Sequence, residues 1–94
     1  MLIEFDEEAD LEGSVLRTFA TVDQRRVECR AGMEVVTELD DRATQSGVKM
    51  GKNAIARSLR PYFKRKIDNG SFDNEDRNSV TLLVHELVSF MHGH

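Results

Sequence analysis

One segment of the sequence has a helical period strong enough to decide its structure. Its large apolar residues follow one another at steps of four, three, one and four, and they are Ile55, Leu59, Tyr62, Phe63 and Ile67. At about 100° per residue these side chains share one face about 140° wide, which predicts a helix with that face against a core. Pro61 has no N–H and crowds the carbonyl four residues earlier, so a kink or a restart is expected near it. Because the apolar face stays in phase across Pro61, the sequence favours the kink.

The first third of the chain has the shorter period of β-strands. Residues 2–5 are largely apolar and predict an edge strand, and the acids of residues 6–12 predict a solvated loop after it. Residues 26–30 alternate strictly between charged and apolar side chains, which is typical of a strand with one buried face. A polar turn at residues 21–24 separates this strand from the mixed segment 14–20, so the two segments predict a β-hairpin.

The remaining segments complete the predicted fold. Apolar side chains at three-residue spacing predict a short helix over residues 33–43, and the turn-forming residues 68–70 end the amphipathic helix. Residues 79–91 fit both a helical stripe and a strand face, and the β-branched residues of 79–84 favour a strand. The sequence therefore predicts a single α+β domain over residues 1–94. We expect a hairpin, an edge strand and a C-terminal strand to form a small sheet, together with two helices.

Charge is distributed unevenly along the chain. Residues 1–12 contain six acids and no base, and residues 42–66 contain eight bases and no acid, although the net charge is −4. Clustered bases are the footprint of phosphate binding, so five of them are candidate contacts to an anion or a nucleic acid. These candidates are Lys52, Arg57, Arg60, Lys64 and Arg65. The alternative is that the amino-terminal acids fold against the basic helix, in the same chain or in a symmetric partner, and neutralise it.

Residues able to carry catalysis are few and isolated. The single cysteine, Cys29, lies on the apolar side of its alternating strand and is predicted to pack in the core rather than to act as a nucleophile. The pair His85-Glu86 begins like a zinc protease motif, but Ser89 stands where the second histidine is required. Residues 47–53 resemble a P-loop with one residue too few between its glycines, and no serine or threonine follows the lysine. We therefore expect no catalytic site, no metal site and no cofactor.

Hydropathy and cysteine content bear on where the protein resides. The longest aliphatic run is Leu82-Leu83-Val84, far below the roughly 20 apolar residues of a transmembrane helix. The amino end is acidic, where a secretory signal would be basic. A single cysteine cannot form an internal disulfide, which agrees with a reducing compartment. These features predict a cytoplasmic protein with no membrane contact.

Several segments together resemble a known family. The order of strands and helices is similar to that of the small bacterial domain-of-unknown-function family 1488, on residues 3–5, 16–20, 26–30 and 56–67. The closest local similarity is Arg65-Lys66-Ile67-Asp68-Asn69-Gly70-Ser71-Phe72, which leads to Val80-Thr81-Leu82. The resemblance covers roughly residues 2–87. It implies an antiparallel sheet with two helices on one face, and it implies no activity because none is established for the family.

The missing catalytic signature and the separated charges favour a non-catalytic accessory or protein-interaction module. A sheet with an exposed first strand, together with surfaces of opposite charge, offers self-complementary contacts, so the expected partner is an unknown protein or a second copy in a homodimer. The alternative is a nucleic-acid-binding protein that uses the basic helix at residues 52–66.

Overall fold

The computed structural model describes residues 2–45, 47 and 51–92, which form a sheet with helices on one face. The strands are β1 (Ile3–Phe5), β2 (Asp10–Glu12), β3 (Val15–Val22), β4 (Arg25–Gly32) and β5 (Ser79–Leu82). The helices are α1 (Met33–Gln45), α2 (Lys52–Asp68) and α3 (Val84–Met91). The predicted α+β class is confirmed. Within the described residues no helix is both long and apolar enough to cross a bilayer.

Strands β3 and β4 lie at the centre of the sheet and confirm the predicted hairpin. They pair antiparallel over the full length of both strands. The two residues of the connecting turn, Asp23 and Gln24, have φ values of 50° and 73°. Positive φ at both positions matches a type I′ turn, whose twist agrees with that of the flanking strands. A two-residue turn of this kind fixes the register of the hairpin.

Two short strands share the outer edge of β3. β1 pairs antiparallel with one half of β3, which confirms the predicted edge strand, and β2 pairs with the other half. The expected solvated loop over residues 6–12 is therefore wrong for the part that forms β2. Alternation explains the pairing, because Leu11 lies opposite Leu16 while Asp10 lies opposite Arg17.

Strand β5 pairs with the inner hairpin strand β4 in parallel, not antiparallel as the sequence analysis expected. The direction follows from α2. Ile67, near the end of α2, lines the same cleft as Val22 and Val27, which lie beside the hairpin turn. The chain thus returns to the end of the sheet where β4 begins, and β5 starts with Ser79 opposite Glu28.

The ambiguous segment 79–91 contains both a strand and a helix. The preference for a strand is correct for β5 and wrong for α3, so the fold has three helices rather than two. In β5 the alternate residues Val80 and Leu82 are buried, whereas in α3 the buried residue is Leu87. The strand period of two applies to β5, and the helical period of 3.6 applies to α3.

The helices cover one face of the sheet and enclose the core. The largest fully buried side chains from the strands are Leu16, Val27, Cys29, Val80 and Leu82. Those from the helices are Val35, Leu59, Phe63 and Leu87. The predicted apolar face of α2 is confirmed, with Tyr62 only half-buried and stacked on Phe90 at 6.1 Å between ring centroids.

Pro61 does not divide α2, which runs unbroken from Lys52 to Asp68, in agreement with the apolar face that stays in phase across it. The proline is on the exposed side of the helix. The carbonyl of Arg57, which loses its usual intrahelical partner, is therefore on the side where water can satisfy it. The solvent side of a helix is where a missing hydrogen bond costs least.

Candidate functional site

The five candidate basic residues do not form a single surface. At about 100° per residue, Arg57, Arg60 and Lys64 lie within about 60° of one another, on the flank of α2 that faces β1. Arg65 lies on the opposite flank, beside α3. Lys52 is the first residue of the helix and lines a groove with residues of α1. The structure therefore brings together three of the five.

Three of the candidates are engaged by the chain itself. Arg60 Nη2 donates to the carbonyl oxygen of Asp6 at 2.9 Å. Lys64 Nζ lies 2.7 Å from Asp68 Oδ2. The Arg65 guanidinium carbon lies 5.1 Å from the ring centroid of Phe90, within range of a cation–π contact. Lys52 and Arg57 are exposed and form no ion pair with any described residue.

The acidic amino-terminal segment does pack along α2, but through its backbone. The N–H of the buried Ala9 donates to Asn53 Oδ1 at 2.9 Å, and the carbonyl of Asp6 accepts from Arg60. The Asp6 carboxylate is instead bound by both terminal nitrogens of Arg26, at 3.1 Å each. The segment covers part of the basic helix, whereas this carboxylate neutralises a base of the sheet.

The face of the sheet away from the helices is polar and internally paired. Its three arginines each bind a carboxylate: Arg17 with Glu12, Arg26 with Asp6, and Arg30 with Glu28. The hydrogen bond and charge of Glu28 raise the pKa of the Arg30 guanidinium above its ordinary value. Phe19 stands between two of the arginines, with Arg26 at 4.7 Å and Arg17 at 5.9 Å from its ring centroid. Paired in this way, the arginines are less able to bind phosphates.

Cys29 is buried in the core, which confirms its predicted packing role. Burial, and to a lesser extent the charge of Glu28, raise the pKa of its thiol to about 12. A thiol with that pKa is protonated at neutral pH and is a poor nucleophile. His85 is exposed, and the neighbouring Glu86 is occupied by Lys66.

Metal ligands do not cluster in the part of the chain that the structure describes. No group of three or more His, Cys, Asp or Glu side chains there is placed to hold an ion. Three of the seven residues of the P-loop-like stretch at 47–53, residues 48–50, lie outside the described residues, as do residues 93 and 94.

At one end of the sheet lies a surface that we call the apolar end patch. It consists of the exposed side chains of Leu11, Met33 and Leu83 and the half-buried Val36. Leu11 and Leu83 are each 48% exposed and Met33 is 42% exposed. Met33 lines two hollows, one of about 280 Å³ with Leu11 and one of about 310 Å³ with Leu83. The patch forms because the start of β3, the end of β4 and the end of β5 all lie at this end.

At the opposite end lies a hollow of about 480 Å³, which we call the hairpin-end cleft. Its apolar floor consists of Val22, Val27, Ile67 and Phe72. Its charged rim consists of Asp23, Arg25, Asp68 and Arg77. Sequence reasoning missed both surfaces, although the unusual Asp23-Gln24 pair in a tight turn was a signal for the cleft.

Comparison with known proteins adds no relative. No family model, no curated protein and no solved structure matches the chain. The resemblance to family 1488 therefore stays a prediction. A function can be proposed only from the apolar end patch, the hairpin-end cleft and the basic flank of α2.

Proposed function

We propose that this chain is a non-catalytic interaction module that associates with a second copy of itself through the apolar end patch. The observation that carries the proposal is that Leu11 and Leu83 lie on either side of Met33. Each of these three large apolar side chains is more than two-fifths exposed. Large apolar side chains scattered singly over a surface need no explanation, but a contiguous group of them is typical of a protein-binding site.

The charges beside the patch favour a second copy as the occupant. Lys52 and Asp40 line the same groove as Met33, and neither forms an ion pair with a described residue. In a two-fold contact the same patch is present on both subunits, so Lys52 of one copy can face Asp40 of the other, and the reverse. A surface with an apolar centre and one charge of each sign is complementary to itself.

The absence of catalysis and a cytoplasmic location are part of the proposal. Cys29, the one thiol of the chain, is buried and protonated at neutral pH, which supports a packing role. A free thiol suits a reducing compartment.

Sedimentation velocity over a range of protein concentrations tests the dimer. We expect the wild type to shift from monomer to dimer as concentration rises, and Met33→Glu to weaken association at least tenfold, because the charge must be buried against apolar groups. Glutamate in the first turn of α1 suits the helix dipole, so the fold is expected to persist.

Leu2→Glu is the matched control. Leu2 is 69% exposed, but it lies beside the hairpin turn, at the end of the sheet away from the patch. The Leu2→Glu variant is expected to associate as the wild type does. A wild type that stays monomeric at high concentration, or a Met33→Glu variant that dimerises normally, would exclude this interface.

The second candidate function is nucleic-acid binding, and one observation favours it. Arg57, Arg60 and Lys64 share one flank of α2, and Arg57 forms no ion pair with a described residue. The support is weaker than for the dimer, because Arg60 and Lys64 already bind groups of the same chain.

A further inference from the structure

The hairpin-end cleft has the features of a small-molecule site. Its volume of about 480 Å³ lies within the range of roughly 300–1,000 Å³ typical of ligand pockets. Such pockets combine an apolar lining with a few polar groups that orient the ligand. Here the apolar floor joins both layers of the fold, with Val22 and Val27 from the sheet and Ile67 from α2.

Two of the four charges on the rim are already used. Asp68 is paired with Lys64 at 2.7 Å. Arg25 donates to the carbonyl oxygens of Asp76 and Arg77, and so ties the hairpin to the loop before β5. The contacts of Arg25 thus link two walls of the cleft, whereas the Asp68 pair lies within α2.

The other two rim charges have no ionic partner. Asp23 and Arg77 line the same cleft with opposite charges, yet neither pairs with the other or with any other described residue. A free carboxylate and a free guanidinium on the rim of an apolar floor are complementary to a molecule that has one charge of each sign.

The backbone at Arg77 supports a functional reading, whereas the positive φ of Asp23 belongs to the hairpin turn. Asp23 has a φ of 50° and Arg77 a φ of 57°, in the left-handed region that residues other than glycine, asparagine and aspartate rarely adopt. Such conformations cost roughly 1–3 kcal/mol, and they are concentrated at ligand-binding and active sites. At Arg77 this cost falls on a residue with no turn preference of its own.

We propose that the hairpin-end cleft binds a small zwitterion with an apolar side chain, an α-amino acid or a short peptide. Its carboxylate is held by Arg77, its ammonium by Asp23, and its side chain lies on the floor formed by Val22, Val27, Ile67 and Phe72. Arginine presents a fork of donors that suits a carboxylate, and a carboxylate accepts from an ammonium.

Titration followed by amide chemical shifts tests this site. The probes are L-phenylalanine and the dipeptide Gly-Phe, with N-acetyl-phenylalanine and phenylalanine amide as singly charged analogues. We expect saturable shifts at cleft residues with either zwitterion, and binding roughly tenfold weaker when one charge is removed. Tighter binding of the dipeptide or of the free amino acid would identify which of the two is the better ligand.

Asp23→Asn and Arg77→Gln remove the two charges separately. Asparagine tolerates positive φ, so the turn is expected to remain intact. We expect Asp23→Asn to bind N-acetyl-phenylalanine as the wild type does, but to bind phenylalanine no more tightly than that analogue. We expect Arg77→Gln to bind phenylalanine no more tightly than phenylalanine amide. Glu75→Gln, a charge change on an exposed residue of the same loop outside the lining, is expected to change nothing.

Three results would overturn the proposal. They are equal affinity for the zwitterions and the singly charged analogues, shifts centred on another surface, or no shifts at cleft residues at millimolar ligand. Since the cleft and the apolar end patch lie at opposite ends of the sheet, failure here is independent of the oligomeric state.

Discussion

Cys29 shows how the position of a residue in a strand determines the chemistry of its side chain. Alternation along residues 26–30 places it on the same face as Val27, and the structure buries both. The same burial that makes the side chain useful for packing keeps its thiol protonated, with a pKa of about 12 instead of 9.0. This residue was predictable because a period of two has only two faces.

We predict a loss of stability at alkaline pH that depends on Cys29. Below pH 9 the thiol is protonated in both the folded and the unfolded chain. Above pH 9 only the unfolded chain releases the proton, so the free energy of unfolding falls by about 1.4 kcal/mol per pH unit towards the folded pKa of about 12. Urea denaturation at pH 8.5, 9.5 and 10.5 measures the slope. Cys29→Ala is expected to lack this contribution, and identical slopes for the two proteins would contradict the assignment.

At the level of elements, the junction between β5 and α3 depends on one ion pair below the surface. Lys66 of α2 is buried and lies 2.8 Å from Glu86 Oε1, and its ammonium also donates to the carbonyl of Thr81. The same Glu86 oxygen accepts the N–H of Leu83 at 3.0 Å. Because Leu83 has no side-chain acceptor, only the glutamate half of a capping box is present. The Lys66–Glu86 pair thus joins α2, β5 and α3.

Removal of Glu86 should therefore be costly. Glu86→Leu leaves the Lys66 ammonium buried without its carboxylate, and we expect a loss of about 3 kcal/mol in the free energy of unfolding. The double variant Lys66→Met with Glu86→Leu is expected to recover most of that loss, because no buried charge remains. Lys64→Met breaks an exposed pair on the same helix and should cost less than about 0.5 kcal/mol. Chemical denaturation measures all three, and equal losses for Glu86→Leu and Lys64→Met would contradict a buried pair.

The sequence placed Lys66 among the clustered bases of a surface, whereas the structure buries it. The helix, its apolar face and its end were all predictable from spacing. At about 100° per residue Lys66 falls within that face, but only the position of β5 decides whether a lysine there reaches water or a carbonyl. The strand that receives it comes later in the chain, and its direction is not encoded in local periodicity.

For the whole molecule, the position and contacts of each charged residue determine which surfaces can bind a partner, more than the net charge does. The bases of residues 52–66 looked like one surface in the sequence, yet the fold separates them among two flanks of α2, the helix start and the core. The hairpin and the edge strand followed from local patterns. The parallel β5, the apolar end patch and the cleft did not, because each depends on where distant elements end.

Nucleic-acid binding through the α2 flank makes a prediction at this scale. It requires retention of DNA or RNA that weakens as salt is raised, with further weakening when Arg57 and Lys64 are both replaced by glutamate. Arg42→Glu is the control, because it reverses the charge of an exposed residue of α1 that lies away from that flank. Filter binding at 50 and 200 mM salt measures the effect. No retention at the lower salt, or equal weakening by the control, would exclude the candidate.

The parallel pairing of β4 with β5 also shapes how the chain must fold. The hairpin and its neighbours are local, but β5 pairs with β4 only after residues 33–78 have been placed. Until then the outer edge of β4, with Val27, Cys29 and Ala31 on its apolar face, has no neighbour on that side. An open, apolar strand edge can pair with another chain. We therefore expect the docking of β5 to be the slow step in folding and to close the edge at which aggregation would begin.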